Sequence, residues 1–103
     1  MNHYREEIKD LQKMGVKVLV TLHHFSNPTW FEKEGGFLQK ESPSIFLRYV
    51  TYVVEAIGDL VSDYVTLNEP NVYVTLSYFL AQWPPARHNP AQSIRVMRNL
   101  VYC

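Results

Sequence analysis

The sequence has a single cysteine, Cys103, among its 103 residues, and this scarcity limits the kinds of site that the chain can form. No disulfide can form within the chain, and no cysteine–histidine spacing is typical of a zinc site. We therefore expect no bound metal, and the lack of a disulfide framework favours a reducing compartment.

Long apolar runs and an excess of one charge are also missing. No stretch approaches the ~18 consecutive apolar residues that predict a transmembrane helix. The ten basic and ten acidic residues cancel, which argues against a partner that is a nucleic acid or a membrane surface. The N-terminus is polar and has no signal-peptide pattern. We predict a cytoplasmic protein if Met1 is the true start, and the sequence leaves its oligomeric state open.

The composition that remains is globular, with 47% apolar and 14% aromatic residues, enough for one small domain. Helical spacing of apolar residues predicts a helix over residues 2–14, capped by Asn2 and stopped by Gly15. Residues 16–22 are nearly all apolar and predict a strand covered on both faces. Residues 26–43 are expected to form a long loop.

A second predicted helix starts with Ser42 as cap and Pro43 as first helical residue, and it runs to about Leu60. Residues 64–68 predict a second strand, which Pro70 lets run up to an extended Glu69. Residues 71–90 are expected to be irregular. A last helix follows Pro90, with these apolar residues on one face: Ile94, Met97, Leu100 and Val101.

The alternation of helix and strand predicts an α/β fold with parallel strands and right-handed crossovers. Two strands alone would leave open edges and an uncovered face, so we expect the chain to be part of a larger domain.

Polar residues follow the carboxyl ends of both predicted strands. His23 and His24 follow the first strand, and Asn68 and Glu69 follow the second. In α/β barrels this edge collects catalytic groups, and Glu69 could act there as a general acid. Asp63 and Asp59 are expected at the opposite edge, so only one convincing carboxylate is present.

Each candidate also has a structural interpretation. Glu69 could be a solvated loop residue or an ion-pair partner, Asn68 a turn residue, and His24 a structural histidine. Trp30 and Trp83 could line a sugar site or only anchor loops. His23, together with His3 and His88, is interpreted as structural.

Several motifs together resemble family 1 of the glycoside hydrolases. Segment 21–31, Thr-Leu-His-His-Phe-Ser-Asn-Pro-Thr-Trp-Phe, is similar to the third-strand segment of that family, and Thr-Leu-Asn-Glu-Pro at 66–70 is similar to its fourth-strand motif. Gly-Gly-Phe at 35–37 and Trp-Pro-Pro at 83–85 resemble the turns that follow. The motifs occur in the same order over essentially the whole chain.

The resemblance implies that residues 1–103 are part of one (β/α)8 barrel catalytic domain and contain about strands three and four. It also implies hydrolysis of β-glycosides of the glucosidase type with retention, with no metal or organic cofactor. Glu69 would be the acid/base, Asn68 would bind the sugar 2-hydroxyl, and His24 would bind another sugar hydroxyl. The expected partner is a small-molecule β-glycoside or oligosaccharide.

The sequence departs from the family pattern in several places. Phe25 and Phe37 stand where many members have Trp, and Ala86 stands where Gly is usual. No Glu-Asn-Gly, the family's nucleophile motif, occurs in the chain. We therefore expect residues 1–103 alone to be inactive. A truncated product without catalysis and a carbohydrate-binding remnant are the two alternatives.

Overall fold

The protein is described by a computed structural model that covers residues 1–103. The predicted order of helix, strand, helix, strand and helix is present, two further short helices lie between these elements, and several bounds differ. A 3-10 turn at Gly36–Leu38 and a π-helical segment at Thr75–Phe79 interrupt the regular elements. The helices and strands, in chain order, are α1 (Asn2–Lys13), β1 (Leu19–His23), α2 (Thr29–Lys33), α3 (Ser42–Ile57), β2 (Asp63–Leu67), α4 (Pro70–Val74) and α5 (Pro90–Val101).

The two strands form a parallel pair, in agreement with the predicted α/β topology. Their register pairs Leu19 with Asp63 at one end and His23 with Leu67 at the other. The peptide N–H of Asn68 donates to the carbonyl of His23 at 2.9 Å, which extends the pairing by one residue. The carboxyl ends of both strands therefore lie at one edge, and Asp63 lies at the opposite edge, as predicted.

Glycine ends α1 where the sequence predicted. Gly15 has a φ of 78°, and the N–H of Val16 donates to the carbonyl of Leu11 at 3.0 Å, which is the pairing of a Schellman cap. The predicted cap of α1 at Asn2 was wrong, since Asn2 is already helical, Met1 is the N-cap and no side chain caps the helix. The cap predicted at Ser42 was also wrong, because Ser42 is already helical and Glu41 precedes the helix.

Two segments predicted to be irregular contain helix. The segment 26–43 holds α2 and the 3-10 turn, and the segment 71–90 begins with α4 and the π-helical segment. Proline explains both errors. Pro70 is the first residue of α4 and Pro28 is the N-cap of α2, and the fixed φ of proline suits a helix start as well as it ends a helix.

The core lies where α5 packs against α3, α4 and the 3-10 turn, and Leu22 of β1 belongs to the same cluster. Tyr78 and Val96 are fully buried. The predicted apolar face of α5 was right for Leu100, which is buried, and for Met97, which packs against the core, but wrong for Ile94 and Val101, which are 73% and 77% exposed. The residues of α5 that are buried in the core are Ser93, Val96 and Leu100.

The molecule is elongated and measures 47 × 23 × 22 Å. The guanidinium of Arg5 forms two hydrogen bonds with the carboxylate of Asp59, of which the Nη2–Oδ2 bond is 2.7 Å long. The predicted apolar face of α1 borders an open cleft, and only Ile8 on that face is buried. None of the helices has both the length and the apolar character that a transmembrane span requires.

Candidate active site

The three predicted site residues lie at the edge formed by the carboxyl ends of β1 and β2. His24 follows the last residue of β1, and Asn68 follows the last residue of β2. The hydrogen bond from the N–H of Asn68 to the carbonyl of His23 holds these two segments side by side. The side chains of His24 and Glu69 are exposed, and Asn68 is half-buried. The edge thus presents an imidazole, an amide and a carboxylate to solvent.

Glu69 occupies a left-handed backbone conformation, with φ 41° and ψ 60°. The predicted extended conformation was therefore wrong. The physical reason is that the chain turns directly from β2 into α4, whose first residue is Pro70. The N–H of Tyr73 donates to the carbonyl of Glu69 at 3.1 Å. The Glu69 carboxylate forms no hydrogen bond or ion pair with the other residues of the chain, so it is free to meet a ligand.

The segment after β1 also contains a residue with positive φ. Phe25 has a φ of 67°, and non-glycine residues in this region are uncommon. The two edge segments thus each hold one strained residue, Phe25 and Glu69. Such strain is concentrated at functional sites because the surrounding structure must be organised to hold it.

Aromatic rings border the site on the side of β1. The rings of His24 and Phe25 meet edge to face at 4.7 Å, and the ring of Phe25 packs against Trp83 at 4.9 Å. Together with Ser26, Asn27, Glu32 and Pro84, Phe25 and Trp83 line an open cleft of about 320 Å³. Trp30 is 53% exposed and borders a different cleft, so of the two tryptophans only Trp83 lies beside the site.

A polar network that the sequence did not reveal lies behind the edge. The Nε2 of His23 is 3.1 Å from the Oδ1 of Asn27. The Nδ2 of Asn27 donates to the Oε1 of Glu32 at 2.6 Å and to the hydroxyl of Tyr73 at 2.9 Å. The one feature of the sequence that could have pointed to Tyr73 was its helical spacing, since it lies one turn after Glu69. His23 was interpreted as structural, and its contacts agree with that interpretation.

Burial controls the ionisation of the network. It lowers the pKa of His23, and this effect is larger than that of the hydrogen bond with Asn27, which raises the pKa. Burial also raises the pKa of the Tyr73 hydroxyl and raises the pKa of Tyr78 to about 12. At neutral pH, His23 is therefore uncharged and both tyrosines keep their protons, because burial disfavours the charged form of each group.

The other carboxylates near the site are engaged or lie elsewhere. Glu32 accepts a hydrogen bond from Asn27, and its oxygens lie 3.0 and 3.1 Å from where a Cβ on Gly36 would stand. Glu34 follows the end of α2 and is exposed. No group of three or more histidine, cysteine, aspartate or glutamate residues is arranged to hold a metal ion. The chain thus offers one free carboxylate at the edge, which can donate or accept a proton.

The structure gives a physical meaning to two departures from the family pattern. Ala86 has a φ of 53°, a conformation that favours glycine, the residue usual at this position in the family. Phe37 is 1% exposed, and its ring meets those of His23 and Phe31 edge to face at 5.2 and 5.1 Å. Both positions support loops and do not alter the edge itself.

The family model described as Glycosyl hydrolase family 1 matches residues 1–103. Two relatives illustrate the range of that similarity. The cytosolic β-glucosidase of Homo sapiens is 38% identical over 85 residues, which is 82% of this chain and 18% of that protein. The chloroplastic galactolipid galactosyltransferase SFR2 of Arabidopsis thaliana is 34% identical over 84 residues, which is 82% of this chain and 14% of that protein.

Solved structures agree with the predicted fold. A β-glycosidase from Pyrococcus horikoshii superposes with a TM-score of 0.90 at 43% identity, over 95% of this chain and 23% of that one. The predicted part of a (β/α)8 barrel is thereby confirmed. The chain spans about a fifth of the length of the relatives that it matches.

Proposed function

Because the chain belongs to glycosyl hydrolase family 1, we propose that the whole protein hydrolyses β-glycosides of the glucosidase type with retention of configuration. The observation that carries this proposal is the position of Glu69. It follows the carboxyl end of a barrel strand, and its exposed carboxylate forms no hydrogen bond or ion pair within the chain. Catalytic groups of such barrels lie at this edge.

Glu69 serves as the acid/base in the proposed reaction. A second carboxylate, outside residues 1–103, attacks the anomeric carbon while Glu69 gives its proton to the departing glycosidic oxygen. The bond between the anomeric carbon and that oxygen breaks, and a glycosyl–enzyme ester forms. Glu69, now ionised, takes a proton from water, whose oxygen attacks the anomeric carbon and releases the nucleophile. Two inversions give net retention.

The neighbours of Glu69 bind the sugar in this proposal. Asn68 precedes Glu69 directly, and its amide can both donate to and accept from the 2-hydroxyl. His24 lies at the end of the adjacent strand and donates to another sugar hydroxyl. The packed rings of Phe25 and Trp83 form an apolar wall beside the cleft, which suits the apolar face of a sugar. The proposed substrate is a small β-glycoside or oligosaccharide.

A second candidate function is transfer of the glycosyl group to a sugar hydroxyl in place of water. The name of the Arabidopsis relative, a galactolipid galactosyltransferase, favours it. Both reactions share the glycosyl–enzyme and the roles of Glu69, so the chain's own residues serve either. Their products differ, since transfer gives a longer glycoside when a sugar acceptor is added and hydrolysis gives free sugar.

The compartment of the protein stays a prediction. The human relative is named cytosolic and the Arabidopsis relative chloroplastic, so similarity points to more than one location.

The test uses the whole protein with aryl β-glucosides and compares Glu69→Gln with Glu34→Gln. Glu34 is an exposed glutamate at the end of α2 and serves as the matched control. Glu69→Gln should lose turnover of phenyl β-glucoside by roughly 10²–10⁴-fold, the usual contribution of general acid catalysis. It should largely keep the first step with 2,4-dinitrophenyl β-glucoside, whose leaving group departs without a proton. Glu34→Gln should match the wild type.

Stereochemistry provides the second readout. Proton NMR of the wild-type reaction should show the β-anomer of the free sugar first. A first-formed α-anomer would exclude retention, and a Glu69→Gln variant with undiminished turnover of phenyl β-glucoside would exclude the role of Glu69.

A further inference from the structure

The side chain of Asn27 joins two edge segments that are far apart in the sequence. Asn27 lies in the segment after β1, and Tyr73 lies in α4, 46 positions later, yet the Nδ2 of Asn27 donates to the hydroxyl of Tyr73 at 2.9 Å. No other side-chain hydrogen bond joins segment 24–33 to segment 68–74. Asn27 is therefore the side-chain link between the segment that carries His24 and the segment that carries Glu69.

Hydrogen bonds and the backbone together form a closed ring that passes through Glu69. The N–H of Tyr73 donates to the carbonyl of Glu69 at 3.1 Å, and the N–H of Asn68 donates to the carbonyl of His23 at 2.9 Å. His23 contacts the Oδ1 of Asn27 through Nε2, and Asn27 closes the ring at Tyr73. The backbone of Glu69 is thus held at both ends by groups that Asn27 connects.

The orientation of the Asn27 amide is fixed by its neighbours. An ionised carboxylate only accepts hydrogen bonds, so the 2.6 Å contact with Glu32 must involve the NH₂ group of Asn27. The second hydrogen of that group serves Tyr73. The Oδ1 of Asn27 then faces His23, whose Nε2 must carry the proton. Every hydrogen-bonding group of the amide is engaged, and such fully satisfied networks specify one arrangement.

Glu69 needs such support because its own contacts do not fix it. Its backbone has a φ of 41°, and residues in this region persist only where the surrounding structure over-determines them. Its side chain is exposed and has no partner within the chain. The position of the carboxylate therefore depends on the backbone turn between β2 and α4, which is part of the ring.

We propose that Asn27 is a positioning residue for Glu69, a role that rests on the proposed function. Its amide couples the segment after β1 to the first turn of α4 and so keeps the Glu69 carboxylate at the distance that proton transfer requires. Asn27 acts through Tyr73 and the backbone, and it takes no part in the chemistry itself.

The experiment measures leaving-group dependence in the whole protein for Asn27→Leu. If the acid is displaced, hydrolysis slows for substrates whose leaving group needs a proton, and it is unchanged for substrates whose leaving group does not. The kcat/KM for phenyl β-glucoside should fall about tenfold or more relative to that for 2,4-dinitrophenyl β-glucoside, since small displacements of catalytic groups cost up to about a hundredfold. Tyr73→Phe removes only the accepting hydroxyl, so it should show the same selectivity to a smaller extent, and it substitutes for Asn27→Leu if that variant does not fold.

Asn99→Leu is the matched control. Asn99 is also a half-buried asparagine whose amide joins separate segments, with bonds to the carbonyls of Phe37 and Gln39 at 2.7 and 3.1 Å. It has no hydrogen bond to any member of the ring that passes through Glu69. Asn99→Leu should lower the denaturation midpoint without changing the ratio of the two kcat/KM values. A purely structural Asn27 would behave in the same way.

A Glu69→Ala variant separates the two proposals. If Glu69→Ala selectively loses activity on phenyl β-glucoside and neither Asn27→Leu nor Tyr73→Phe does, the positioning role of Asn27 is refuted and the proposed function stands. If Glu69→Ala shows no selective loss, the proposed function fails, and the role of Asn27 fails with it. Selective loss in all three variants, with none in Asn99→Leu, supports both.

Discussion

The side-chain amide of Asn27 and the hydroxyl of Tyr73 lie 2.9 Å apart, although the two residues are 46 positions apart in the sequence. This contact joins the segment after β1 to α4, the helix that begins directly after Glu69. It also places the buried imidazole of His23 and the carboxylate of Glu32 in the same network. Changes to any of these groups should therefore affect both stability and the proposed acid/base.

The first prediction concerns the pH dependence of stability. Burial lowers the pKa of His23 in the folded protein below the value of about 6.5 expected for the unfolded chain. Below about pH 6.5 the unfolded state therefore binds more protons than the folded state, and stability falls as the pH drops toward the folded pKa. His23→Gln keeps a side-chain N–H donor for Asn27 and cannot titrate, so its decline between pH 7 and 5 should be smaller.

The measurement for His23 is urea denaturation of the whole protein at pH 5, 6 and 7. His3→Gln is the control, because the side chain of His3 is 80% exposed. Equal pH slopes for the wild type and His23→Gln would contradict the prediction. Carboxylates paired with basic groups, such as Asp59 and Asp63, have lowered pKa values, so their protonation changes the stability at more acidic pH.

The second prediction compares two glycines that both have positive φ. Gly15 has a φ of 78° and open space where a Cβ would stand, whereas a Cβ on Gly36, with a φ of 55°, would meet the Glu32 carboxylate at 3.0 Å. Gly15→Ala should cost about 1–2 kcal/mol, the cost of the left-handed conformation alone. Gly36→Ala should lower the stability by more than this. It should also selectively reduce the hydrolysis of phenyl β-glucoside, because it displaces the Glu32 carboxylate that orients Asn27.

Denaturation midpoints and the ratio of kcat/KM values test this pair. Equal losses of stability in Gly15→Ala and Gly36→Ala, with an unchanged substrate ratio in both, would show that Glu32 moves aside without disturbing Asn27.

The third prediction concerns residues 1–103 expressed alone. The pair β1–β2 has two open edges, and Leu19 in β1 is 60% exposed, so apolar barrel surface meets water. We expect the segment to melt without a cooperative transition by circular dichroism, to bind an apolar dye, and to show no turnover of aryl β-glucosides. A sharp melt of a monomer, or turnover that disappears in Glu69→Gln, would be evidence against this.

Part of this structure was predictable because it depends on local patterns. The helical spacing of Ile8 and its neighbours predicted α1, Gly15 marked its end, and the β-branched runs predicted both strands. The rule that parallel strands end at a common edge was enough to bring His24 and Asn68 together. The family motifs, in order along the chain, then identified the family and the barrel.

Other features were not predictable from local patterns. Pro28 was predicted to lie in a loop and Pro70 to follow an extended Glu69, but in the tertiary structure both prolines stand at helix starts. Ile94 and Val101 fit an apolar face of α5 together with Leu100 by spacing, but tertiary packing leaves Ile94 and Val101 exposed and buries Leu100 with Val96. The hydrogen bonds of Asn27 reach a partner in another helix, and no sequence spacing encodes that distance.

The sequence by itself determined the alternation of elements, the membership of the family and the candidate residues His24, Asn68 and Glu69, because these depend on periodicity and on short motifs. Only the tertiary structure decided the left-handed turn at Glu69 and the ring that supports it. The turn arises because β2 passes directly into α4, and the ring arises because parallel pairing brings the end of β1 within hydrogen-bond reach of that turn.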